Sequence, residues 1–106
     1  MNVNKTLQHC AQTMDAADLF QAMRPYQEEN LSPKTLAKCF ETLAQPIDGK
    51  SNWIPIEDLV KANNSFRTNN GCQWARSDQG YLSQKYRVER KHAGGKVSAV
   101  RLNGYA

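Results

Sequence analysis

The sequence predicts a mainly α-helical fold closed by a C-terminal β-hairpin, an α+β arrangement in a chain of 106 residues, long enough for one domain. Two observations set that class. Apolar residues recur at three- and four-residue steps in the N-terminal part, as on one face of a helix. After Lys85 the period falls to two, and Gly94-Gly95 interrupts the alternating run where a hairpin would turn.

Taken in order, Leu7, Cys10, Ala11, Met14 and Ala17 form an apolar helical stripe. Asp15 can cap a second set of turns with Leu19, Phe20 and Met23 inward, so one bent helix or two short ones fit. Pro25 ends it, because the residue before proline is pushed out of the helical region. Ser32-Pro33 opens the clearest helix of the chain, with Leu36, Ala37, Phe40, Leu43 and Ala44 on its apolar face and Pro46 and Gly49 behind it. Asn52 to Ile56 is a short extended piece that Pro55 confines to an edge. Glu57 to Ala62 is a short helix, and Asn63 to Asn70 a polar turn anchored by Phe66. Asn70 then caps a helix from Gly71 or Cys72 to about Asp78, with Cys72, Ala75 and Trp74 inward, Gln73, Arg76 and Ser77 outward, and Gly80 as a left-handed stop. In the hairpin, Tyr86 and Val88 pair with Val100 and Leu102 against the helices. Arg87, Arg90, Lys91 and Lys96 are expected on the exposed face and tip. Residues 1–31 read as an N-terminal helical extension and 32–106 as the main domain.

Charge is unevenly divided. Residues 1–59 hold five basic and eight acidic side chains, a net of −3, whereas residues 60–106 hold nine and two, a net of +7. Such a concentration favours a polyanionic partner, although a basic face can also serve solubility alone. Cys10, Cys39 and Cys72 are too few and too widely spaced for a disulfide framework and read as buried thiols. No apolar run is long enough to span a membrane and the N-terminus lacks a signal-peptide core, so a cytoplasmic protein is expected.

The order of elements from residue 33 resembles the winged helix-turn-helix family. Leu36-Ala37-Lys38-Cys39-Phe40, Trp53-Ile54-Pro55-Ile56, Glu57-Asp58-Leu59-Val60-Lys61-Ala62, Cys72-Gln73-Trp74-Ala75-Arg76 and Lys85 to Leu102 carry the likeness. The stretch Trp74 to Leu82 with its following hairpin is also similar to small phage or prophage helix-turn-helix proteins. The resemblance covers about residues 33–104 and rests on element order, and the turn Asn63–Asn70 is longer than in the simplest members. It implies three helices supporting a β-hairpin wing, a short strand that pairs with the wing, and binding to double-stranded DNA.

Side-chain chemistry fits that implication. Gln73 can pair bidentately with adenine and Arg76 with guanine, and their three-residue spacing puts them on one helix face. Asn70 at the helix entry can reach a phosphate, as can Arg87, Arg90, Lys91 and Lys96 on the hairpin. Bland roles compete: Lys91 and Lys96 can guard a strand edge, His92 can be idle at the tip, and Trp53, Trp74 and Tyr86 are expected in the core. Phosphate loops, metal-ligand clusters and nucleophile elbows are absent from the sequence, so a non-enzyme with no cofactor is expected. The function expected is that of a DNA-binding regulator of phage or plasmid origin, with homodimerisation through the N-terminal helices as an option. A protein-interaction module on the same scaffold, serving as inhibitor or adaptor of a nucleic-acid-processing complex, is the alternative. RNA binding has less support from an aromatic content of 8%.

Overall fold

The computed structural model describes residues 16–27, 29–67, 72–76 and 80–106. Helix α1 (Ala16–Met23) passes into a single 3-10 turn, Arg24–Tyr26, at Pro25. Helix α2 (Pro33–Ala44) starts where proline and serine dictate. The Ser32 hydroxyl accepts the Thr35 amide at 3.2 Å, and Pro33, which lacks an N–H, occupies the first turn where none is needed. Gln45, in a left-handed conformation at φ 46°, ends it. Leu36, Ala37, Cys39, Phe40 and Leu43 are buried along one face. Leu19 and Met23 of α1 are fully buried in the same core, so residues 16–23 pack with the rest of the fold. The apolar stripe expected from Leu7 to Met14 and the Asp15 cap lie outside the described residues.

After α2 the chain makes a tight turn at Asp48-Gly49, both at positive φ, with Ile47 and Lys50 exchanging backbone hydrogen bonds at 2.7 and 2.9 Å. That geometry suits a two-residue hairpin loop. Strand β1 (Ile54–Pro55), helix α3 (Ile56–Ala62) and a 3-10 turn at Asn64–Phe66 follow. Helix α4 (Gln73–Arg76) begins after Cys72, whose carbonyl accepts the amides of Ala75 and Arg76. Helix α5 (Tyr81–Lys85) leads directly into strand β2 (Tyr86–Ala93), which turns at Gly94-Gly95 into strand β3 (Lys96–Tyr105). Fold class is therefore mixed α and β, with a three-stranded antiparallel sheet in the order β1-β3-β2.

Helix α5 was not expected. Gly80 has φ −76° and ψ 152°, an extended residue that opens α5, and not the left-handed stop anticipated from the sequence. The physical reason is apolar: Leu82 is fully buried and Tyr81 packs against the core, so the chain gains more by folding into another turn of helix than by running on as a loop.

Register decides which hairpin side chains face the helices. Val88 pairs with Leu102, Arg90 with Val100, and Tyr86 with Tyr105, so the expected Tyr86 pairing shifts toward the chain end. Two irregularities cause this. Near the base of the hairpin β3 carries one extra residue in the span where Gly104 takes φ 84°. Near the tip, Lys91 pairs with Ala99 and His92 with Val97, leaving Ser98 as the extra residue and returning Val97 to the core side.

Three aromatic rings tie the helical layer together. Trp74 lies 5.3 Å from Phe40 of α2 and 5.2 Å from Phe66, the latter edge-on at 87°. Each such pair contributes about 0.5–1.5 kcal/mol beyond the area it buries.

Asn63, fully buried, is the polar counterpart of these rings. Its side-chain amide donates to the Tyr26 carbonyl at 2.7 Å, and its oxygen accepts the Ser65 amide at 2.7 Å. Ser65 in turn donates to the Glu29 carbonyl and accepts the Leu31 amide. The turn after α3 is thereby fastened to the segment between α1 and α2. Asn63→Ala leaves those buried groups unpaired and is expected to cost about 1–3 kcal/mol. Asn64→Ala, one residue on, is expected to stay within about 0.5 kcal/mol. Urea unfolding of both variants measures the difference.

Candidate nucleic-acid interface

Helix α4 presents the two side chains expected to read bases. Trp74 and Ala75 are buried, which leaves Gln73 and Arg76 exposed on the opposite side. Opposite α4 stands the inner face of the hairpin. Because Arg90 pairs with the buried Val100 and lies two residues beyond Val88 on the same strand face, it points toward the helices. Arg76 and Arg90 consequently line one open cleft of about 340 Å³, together with Ala75, Ser83, Tyr86 and Val88. The Ser83 hydroxyl donates to the Ala75 carbonyl at 3.2 Å, fixing α5 against α4 beneath the cleft.

The remaining hairpin cations lie elsewhere. Arg87 and Lys91 alternate with Arg90 and so belong to the outer face, with Glu89 and Arg101. The expectation that Arg87, Arg90 and Lys91 share one exposed face is corrected by this register: strict two-residue alternation separates Arg90 from its neighbours. Lys96 is exposed beside the Gly94-Gly95 turn, as is His92. Asn70 lies outside the described residues.

Trp53 is also corrected. It is half-buried and does not join the core; its ring lies on the outer face between two cations, Lys91 Nζ at 4.6 Å and Arg101 at 4.5 Å from the centroid. Trp74 and Tyr86 are core residues, as expected. The sequence held the signal for Trp53. Ile54 pairs with Val100 on the inner face, so the residue before it must face outward.

A second group of side chains, also missed, secures the root of the hairpin. Tyr81 donates its hydroxyl to Glu41 Oε1 at 2.6 Å, and Lys85 pairs with Glu41 Oε2 at 3.1 Å. Lys85 also lies over the rings of Tyr81 and Tyr86, and Tyr86 stacks on Tyr105 at 5.7 Å. Burial, followed by the adjoining Glu41 carboxylate, pushes the Tyr86 phenol up to about 12. The same causes in the same order raise Tyr81. Burial works to lower Lys85, but Glu41, Tyr86 and Tyr81 outweigh it and hold the ammonium above its usual value. These residues bind α2, α5 and the hairpin into one unit, so the cleft between α4 and β2 has a fixed back wall.

Cys39 and Cys72 are buried cysteines. Among the described residues, no group of three or more His, Cys, Asp or Glu side chains is placed to hold a metal ion. Nor is any helix among them long and apolar enough to cross a membrane. Comparison of the chain with protein-family models, curated proteins and solved structures finds no match.

The raised phenol has a measurable consequence. A folded state that holds a tyrosine proton more tightly than the unfolded chain is favoured fully below pH 10 and loses that advantage as the pH climbs toward about 12. Phenolate absorbance during an alkaline titration should therefore show a late-ionising component that Tyr86→Phe diminishes. Denaturant midpoints should fall over the same interval in the parent protein and less steeply in the variant.

Proposed function

We propose that the chain is a non-catalytic DNA-binding regulator of winged helix-turn-helix type that grips duplex DNA between α4 and the hairpin. The order α2, β1, α3, α4, hairpin and the pairing of β1 with β3 support this reading. The observation that carries it is the convergence of Arg76 and Arg90 on one open cleft, with Gln73 exposed on the same short helix. Arginine presents a planar fork of donors suited to guanine edges and to phosphate oxygens. Gln73 and Arg76 read base edges from α4, Arg90 holds a phosphate at the groove wall, and Lys96 follows the backbone from the glycine tip. Asn70, three residues before Gln73 in the sequence, would add a phosphate contact. Seven net positive charges over residues 60–106 steer the encounter.

Affinity for a fluorescent duplex pool should fall steeply with salt, because each phosphate contact releases counterions. Arg76→Ala should cost about 1–3 kcal/mol and broaden base preference, whereas Lys96→Ala should weaken all sequences alike and reduce the salt slope by about 1. Failure to bind any duplex at low salt would refute the reading.

A further inference from the structure

The outer face of the sheet has a composition that the cleft does not explain. Trp53 stands opposite Arg101, one residue beyond the Ile54–Val100 pair. Across the small side chain of Ala99, which pairs with both Pro55 and Lys91, the Lys91 ammonium reaches the indole. Arg87 lies on the same face at the base of the hairpin. Among the described residues of this face, one carboxylate, Glu89, stands against these three cations, and it is already engaged by Arg101 Nε at 2.7 Å.

We propose that this outer face is a second nucleic-acid site that takes an unpaired strand, one base stacking on Trp53 while Arg87, Lys91 and Arg101 meet its phosphates. The two cations over the indole, Lys91 and Arg101, differ in how firmly they are held. Arg101 is anchored by Glu89 and stays against the ring. Lys91 is exposed and has no ion pair among the described residues, so its amine can leave the indole for a phosphate as a base takes its place. An aromatic platform among cations that follow a backbone is the chemistry of single-strand binding, since every base has a stacking face. Paired bases inside a duplex keep that face covered. The site therefore demands a different form of the polymer from the one assigned to the cleft, and it stands whether or not the cleft binds duplex.

Intrinsic fluorescence tests this directly. The protein has two tryptophans, and Trp74 is enclosed by Phe40 and Phe66 at 5% exposure, so a change on adding a ligand reports Trp53. A short oligothymidylate at low salt is expected to quench the emission. By polarisation of a dye-labelled oligothymidylate, Trp53→Ala should weaken binding about 5- to 150-fold, the loss of one stacked base. Trp53→Phe should retain most of the affinity, and Lys91→Ala should lower the single-strand salt slope by about 0.7. Arg76→Ala, on the other face, should leave oligothymidylate binding unchanged even where duplex binding is lost. Equal affinity of Trp53→Ala and the parent protein overturns the proposal. So does an unquenched parent protein, and quenching by polyglutamate alone would assign the face to an acidic protein. Should Trp53→Ala not fold, the parent quench and the Lys91→Ala slope still decide the matter.

Discussion

Trp74 is the point through which the helical layer is held together. Its indole bridges Phe40 on the long helix α2 and Phe66 in the turn after α3, and it sits on the same four-residue helix that exposes Gln73 and Arg76. A helix that short has no stability of its own in water. Its orientation comes from the buried indole, from Ala75 beside it and from the Ser83 hydroxyl on the Ala75 carbonyl. The two outward side chains are thus positioned by what their neighbours bury, and any reading of α4 as a recognition element depends on that anchor.

The sheet imposes a different constraint. In a strand, adjacent residues point to opposite faces, so Arg90 and Lys91 cannot serve the same surface however close they lie in sequence. The β3 irregularities at Ser98 and near Gly104 adjust the frame at both ends of the hairpin without altering that division over residues 88–91. One ribbon therefore divides its cations between a cleft shared with α4 and an open face shared with Trp53. Glu41, Tyr81, Lys85 and Tyr86 then lock the root of the ribbon to α2, which keeps the two faces in constant relation to the rest of the fold.

Elements with strong local signals were legible in the sequence. Ser32-Pro33 marks the start of α2 through the missing proline N–H and the serine cap, and Gly94-Gly95 marks the hairpin turn. The outward pair on α4 was legible too, because Trp74 and Ala75 are apolar and Gln73 and Arg76 are not. Helix α5 escaped because Gly80 reads as a stop when only its flexibility is considered. The burial of Leu82 that decides the matter is a tertiary effect. The hairpin cations were grouped by composition when alternation, applied from Ile54 and Val88 outward, would have separated them. The bond from Tyr81 to Glu41 spans forty residues, and no local pattern announces it.

Strand order leaves β2 as a sheet border: among the described residues it pairs with β3 on one side only. Its other side offers backbone donors and acceptors to any extended chain that approaches, which is how ribbons stick to one another. Arg87, Arg90 and Lys91 make that approach electrostatically costly between identical molecules. The side chains that would welcome a polyanion thus also keep neighbouring copies apart, and stripping them together would trade a binding defect for a solubility defect.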